Sequence, residues 1–344
     1  MESAIAQQNP PASGLGLRSL RRIGAIASLT ATEGLRQPSF FLLLFVTAAL
    51  IGLSPQFSFF HLGEEAKMVT DLGLSTILTF STLLALLTAS STVTDEIEGR
   101  TALTMLSKPL RREEFLLGKY VGVAVTASVL ALAMGPVLLV TLRSQNVLTA
   151  LDSYFNLAFG IAAIVGVALF GLQMVVKLLL GRGLSLIHAF WVSYAIATVC
   201  IFAILHVKSV PQITWDWRLL IGIFFICLHA CVVSAMAVAL ATRCSLVQTF
   251  IGTAAFFIVG HASGALVAPF RDGQHHLSVL GSVIRAVLPD LDQFNITDAL
   301  ATAFMDKAVA IPVDVIIGST IYALFYGTAL LALAVVLFRK RELG

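Results

Sequence analysis

Charge is scarce in this chain. Of its 344 residues only 12% are Asp, Glu, Lys or Arg, 58% are hydrophobic, and the mean hydropathy is +0.93. That balance excludes an ordinary water-soluble domain, whose surface needs far more charge. Cysteine is also sparse: Cys200, Cys227, Cys231 and Cys244 fall in or beside apolar runs, without paired spacing in a polar loop. A disulfide framework and a zinc knuckle are therefore not indicated. No Gly-x-x-x-x-Gly-Lys-[Ser/Thr] phosphate loop, Gly-x-Ser-x-Gly elbow, His-Glu-x-x-His helix or paired-Asp arrangement occurs, so neither nucleotide binding nor intramembrane catalysis has a motif to rest on. No short apolar core lies close to Met1, so a cleavable signal peptide is not expected. Repeats of about 20–50 residues are missing as well, and one membrane domain accounts for the chain.

What remains is a series of long apolar runs. A hydrocarbon core of about 30 Å needs about 20 helical residues. Eight candidate spans meet that length: 40–58, 71–93, 119–142, 156–179, 184–206, 219–241, 246–268 and 314–338. The chain reads as an all-α polytopic membrane protein. Residues 1–14 lack periodicity and are expected to be disordered; 15–344 form the single membrane domain. Within it, Leu and Ile recur at three- and four-residue spacing over 15–37 with Arg18, Arg21 and Arg22 between them, the pattern of an amphipathic helix at the headgroup level. The segment 269–312 is the longest that does not span. Leu277, Leu280, Ile284, Val287 and Leu288 give it an interfacial or re-entrant helix before Pro289.

Basic residues orient the chain. With both termini cytoplasmic, the inner segments collect 15 of the 22 Lys and Arg residues, including Lys177, Arg182, Arg243 and the Arg339-Lys-Arg341 tail. The outer segments carry the other seven and most of the acids. The inverse topology violates the positive-inside rule.

One inner segment stands apart. Residues 95–119 concentrate charge between two spans, and they mix acids with bases where orientation needs bases alone. Asp95, Glu96 and Glu98 close the preceding span, and Gly99 permits a bend before Arg100. Thr101 to Lys108 form a short helix with Leu103 and Leu106 among its apolar residues. Ser107 and Lys108 lead into Pro109, a favoured first helical residue, followed by Arg111 and Arg112. Glu113 and Glu114 then occupy the first turns of the next span, where the helix dipole favours acids. A short helix protruding beside the membrane suits a groove on another protein.

The run Glu96-Ile-Glu-Gly-Arg-Thr-Ala-Leu-Thr-Met-Leu-Ser-Lys-Pro-Leu-Arg-Arg-Glu-Glu-Phe-Leu-Leu-Gly-Lys-Tyr-Val-Gly122 resembles the first cytoplasmic loop of ABC-2-type ABC transporter permeases. Glu33-Gly-Leu-Arg36 is similar to that family's elbow helix, Leu288-Pro-Asp-Leu-Asp-Gln-Phe294 to its outer segment before the last span, and Phe338-Arg-Lys-Arg-Glu-Leu343 to its common ending. The resemblance implies a six-helix core plus an extra hairpin, here 156–206. It also implies a homodimer or heterodimer of permeases in the plasma membrane (the bacterial inner membrane), with lipid around it and no nucleic acid partner. The chain itself would hold no cofactor; ATP and Mg would sit on a separate ATP-binding cassette subunit docked on the 95–119 loop. ATP-driven alternating access would then export a substrate, for which an apolar lining suits lipids or amphipathic drugs. A secondary transporter or channel is the main alternative; it calls for charged mid-span residues or broken helices in two related halves.

A few polar residues lie inside spans. His188, His229 and His261 are ionisable groups in lipid, which makes them functional candidates, although a neutral histidine bonded to a nearby carbonyl or hydroxyl is the commoner case. Cys227 and Cys231 share a helix face at i, i+4 spacing, as a soft metal ion or plain packing uses. Gly118/Gly122 and Gly260/Gly264 allow close helix contact, first of all within the chain.

Overall fold

A computed structural model describes residues 12–57, 65–94, 111, 113–142, 172–173, 175–176, 186–207, 218–265, 289–296, 300 and 312–339. Among the described residues every regular element is helical and no strand occurs. Helix α1 covers Ala12–Gly34, starting three residues before the periodic stretch read from the sequence, and a turn at 35–37 leads into α2, Pro38–Phe57. Pro38 opens α2 at the position where a missing N–H costs nothing. Pro55 lies inside the same helix without ending it. The Ser54 hydroxyl donates to the Ile51 carbonyl at 2.7 Å, the acceptor that the absent Pro55 N–H leaves over.

Helix α3, Glu65–Ala89, ends in a five-residue π turn, Ser90–Thr94. Helix α4 runs Glu113–Leu142, α5 Leu186–Val207, α6 Leu219–Ala241 and α7 Leu246–His261. A tight turn separates α6 from α7, where the Ser245 N–H donates to the Gln248 side chain at 3.1 Å and so holds the start of α7. After a 3-10 turn at Asp292–Phe294 comes α8, Val313–Arg339.

Five helices among the described residues are long and apolar enough to cross a membrane: α2, α3, α4, α6 and α8. Two further expected spans are occupied by α5 and α7; helix α7 fills 246–261 of the expected 246–268, residues 263–265 are helical as well, and 266–268 lie outside the described residues. The expected span 156–179 lies outside the described residues except for 172–173 and 175–176, which are helical. The re-entrant helix expected within 277–288 also lies outside them, as do residues 1–11 and the last five.

Helix α6 is the hub. It packs on α3, α7 and α8, and buries Gly222, Phe225, Ala230, Val233 and Ala237 on several sides at once. A helix apolar all round belongs at the centre of a bundle. Helix α8 buries one stripe only, Ala323, Leu330, Ala334 and Phe338, and leaves Phe325 and Leu324 outward. In a hydrocarbon solvent an exposed apolar face carries no penalty, so the two helices share a composition and differ in place.

Candidate functional site

The 95–119 loop joins the described helices at two roots. Asp95, Glu96, Glu98, Gly99, Arg100, Thr101, Leu103, Leu106, Ser107, Lys108, Pro109 and Arg112 lie outside the described residues; both roots lie within them. The first root is the π turn Ser90–Thr94, which packs on α6 and α7 as well as on α3. Such turns widen the helix and are frequent at functional sites. Here Gln37 Nε2 donates to Ser91 Oγ at 2.8 Å, tying the α1–α2 corner to the π turn.

The second root is the start of α4. Arg111 is exposed; its carbonyl accepts the Phe115 N–H at 3.2 Å, and its own N–H points at Glu114 Oε2 at 3.4 Å. Glu114 reaches back three residues to an orphan donor, as in one half of a capping box. Its carboxylate is buried, with the Ser19 hydroxyl donating to Oε1 and Arg22 Nη1 standing 3.5 Å from Oε2. Ser19 and Arg22 belong to α1, so one carboxylate joins α1 to the mouth of the loop.

Glycines hold that junction close. A Cβ on Gly118 would stand 2.6 Å from Ile26 Cβ, and one on Gly122 would stand 2.5 Å from Thr30 Cβ and 2.9 Å from the Ala27 carbonyl. The Gly-x-x-x-Gly pair of α4 therefore seats α1. Beneath it lies a small core rich in alanine, with the Phe115 and Phe338 rings stacked at 6.2 Å and Arg243 Nε donating to the Leu337 carbonyl at 2.9 Å. Lys119 is buried here with its Nζ 5.9 Å from the Phe115 ring centroid, a cation–π distance. Of the two elbow residues, Glu33 and Arg36 are both exposed, and the Arg36 N–H donates to the Glu33 carbonyl at 3.0 Å in the turn after α1.

This arrangement anchors both ends of one loop in a common platform of α1, α3, α4, α6 and α8. Residues 19–180 match the profile of the family described as ABC-2 family transporter protein. Over that stretch, just under half of the chain, the protein is similar to ABC-2-type permeases. The match begins at Ser19, the α1 residue bonded to Glu114, and takes in α2, α3, the loop and α4. No curated protein matches the chain. The five apolar helices and this match point to a multi-pass membrane protein, and the matched family generally works with an ATPase subunit.

The remaining candidates divide. His188 on α5 is exposed and does not join the other two histidines, whereas His229 and His261 come together with ring centroids 5.3 Å apart. Cys227 pairs with Ser128 and Cys231 with Tyr120, so both thiols face α4. Among the described residues no three of His, Cys, Asp and Glu gather as metal ligands. The Ser19–Arg22–Glu114 contact was not foreseen, because its partners are more than ninety residues apart. Only the dipole position of Glu114 marked that residue in advance.

Proposed function

We propose that this chain is the membrane subunit of an exporter whose ATPase is a separate polypeptide docked on the 95–119 loop. The observation that carries the reading is the double anchorage of the loop: a push on it reaches α3 through the π turn and α1 through Glu114. Asp95, Glu96 and Glu98 form the hinge, and Thr101 to Lys108 the docking helix, with Leu103 and Leu106 as anchors. ATP and Mg are held by the partner, and its closure rocks the helices between inward- and outward-facing arrangements. The loop and both termini face the cytoplasm, α1 lies at the headgroup level as the elbow, and eight spans cross the plasma membrane. Two such units, alike or different, complete the transporter.

The test is co-expression of the tagged chain with candidate ATPases, beginning with any encoded beside it. An ATPase is expected to co-purify, and replacing Leu103, Leu106 and Lys108 together is expected to reduce its retention by about tenfold or more, as loss of a central anchor does. If no ATPase associates, or if retention survives the triple replacement, the docking claim is wrong.

A further inference from the structure

His229 is fully buried on α6, and its Nε2 has no hydrogen-bond partner. Its Nδ1 stands 3.4 Å from Thr82 Oγ1 on α3. On α7, His261 Nδ1 lies 3.0 Å from the Phe257 carbonyl. A carbonyl only accepts, so this nitrogen carries the hydrogen and the neutral His261 ring offers its lone pair at Nε2. Ring centroids 5.3 Å apart leave room for one nitrogen of each ring to meet at the ~3 Å of an N–H···N bond.

We propose that His229 and His261 form a single proton-binding site inside the bundle. Neutral, the pair carries two N–H hydrogens and two lone pairs: His261 Nδ1–H donates to Phe257, His229 Nε2–H donates to His261 Nε2, and the Thr82 hydroxyl donates to His229 Nδ1. Uptake of one proton leaves three N–H hydrogens and one lone pair. His261 then donates from both nitrogens, while His229 accepts at Nε2 and donates from Nδ1 to Thr82, whose hydroxyl turns from donor to acceptor. Both states satisfy every nitrogen, and the hydroxyl makes the exchange possible. Among the described residues no third metal-ligating side chain joins the pair, so it suits a proton and not an ion needing four ligands.

A charge in an apolar bundle is costly unless it is met. The Phe257 ring lies 4.4 Å from His261 and 5.7 Å from His229, and the Phe294 ring 6.1 Å from His229, which surrounds the imidazolium with aromatic rings. The nearest ionisable groups on the packed elements are Asp290 in the 289–296 segment, bonded near His261 through Ser263, and Tyr322 on α8, whose ring lies 6.1 Å from Phe294; Asp292 is exposed. Asp290 Oδ1 is 3.4 Å from Ser263 Oγ, two residues beyond His261, and the Tyr322 hydroxyl accepts the Asp290 N–H at 2.8 Å. From α3 the pair meets the Thr82 hydroxyl; the α6 thiols are turned to α4. The same segment seats Leu291 against α7, its N–H donating to the Gly260 carbonyl at 3.1 Å. Proton occupancy therefore acts directly on how the 289–296 segment sits on α6 and α7, a role separate from the loop and its partner.

The experiment is deuterium exchange at histidine C2 in the full-length chain in lipid nanodiscs, followed by mass spectrometry across pH about 5 to 8, with His188 as the independent control. His229 and His261 are expected to follow one shared transition, and His261→Gln or His229→Gln to move the remaining partner's profile by about one pH unit while leaving His188 unchanged. Two independent transitions in the unsubstituted chain, no transition at either histidine, or a profile indifferent to replacement of the partner would each overturn the proposal. The unsubstituted titration decides the matter even where a variant does not fold.

Discussion

The loop end of the bundle and the middle of its α3–α6–α7 seam are both apolar helix contacts, yet they differ in how charged and amide groups are met across helices. At the loop end the charged and amide side chains are paired, Glu114 with Ser19 and Arg22, Gln37 with Ser91, Arg243 with the Leu337 carbonyl, while the buried hydroxyls of Thr30, Thr88 and Ser90 make no hydrogen bond. Thr126 there returns its hydroxyl to the Gly122 carbonyl at 2.9 Å. Along the seam, the buried hydroxyls of Ser234, Thr249 and Thr253 and the Nε2 of His229 make no hydrogen bond. The loop end thus resembles a clamp, in which each contact resists separation of α1, α3 and α4. The seam keeps polar capacity in reserve, at a cost of about 1–3 kcal/mol per unsatisfied group. A transporter needs both properties, one part that transmits force intact and another whose contacts can be remade.

The contrast predicts effects of opposite sign, and the largest falls at the clamp. Gly122→Leu drives a side chain into Thr30 and the Ala27 carbonyl, and overpacking of this kind costs about 1–3 kcal/mol or more. A fall in the thermal midpoint of the purified chain, with α1 amides exchanging faster, is the expected result; an unchanged midpoint would show that α1 does not grip α4. Glu114→Ala removes a buried acceptor from Ser19 and Arg22 and should cost about 1.5–3 kcal/mol, measured by the same unfolding scan. The Arg22 share is small: its side chain is 40% exposed, so a double-mutant cycle with Glu114 should give a coupling of about 0.2–1 kcal/mol. At the seam, Thr253→Val keeps the shape and deletes an unpartnered hydroxyl, and is expected to be neutral or to stabilise by about 1 kcal/mol. A loss comparable to that of Glu114→Ala would mean that the seam hydroxyls are bonded and that the contrast fails. The smallest perturbation is topological: single cysteines at Ser107 and Gln274 should label from opposite sides of the membrane without altering stability, and labelling from the same side would break the eight-span arrangement.

Much of the fold was legible in advance. The limits of α2, α6 and α8 follow the apolar runs within two residues, while α3 and α4 each start six residues before theirs, because lipid requires continuous helix where the chain is apolar and leaves the polar lead-in free to extend it. Gly118 and Gly122 stood out by spacing, as did Glu113 and Glu114 by their place at a helix start. The mate of each was not legible. Gly118 could have met any helix, and nothing local to Ser19 announces a carboxylate on α4. The histidines were visible singly, but that His229 meets His261 while His188 stays outside depends on which faces of α5, α6 and α7 turn inward.

By itself the sequence determined the class of the protein, the limits of its long helices, the charged loop between α3 and α4 and the family to which that loop points. These are properties of local composition and length, set by the thickness and polarity of a membrane. Tertiary structure alone decided that α6 is the hub and α8 the flank, that one buried carboxylate clamps α1 to the loop, and that two histidines on neighbouring helices share a site. The reason is physical. In a membrane the lipid-facing side of a helix is as apolar as its core-facing side, so hydropathy no longer distinguishes them. Which face meets which is then settled by packing and by polar contacts between residues far apart in the chain.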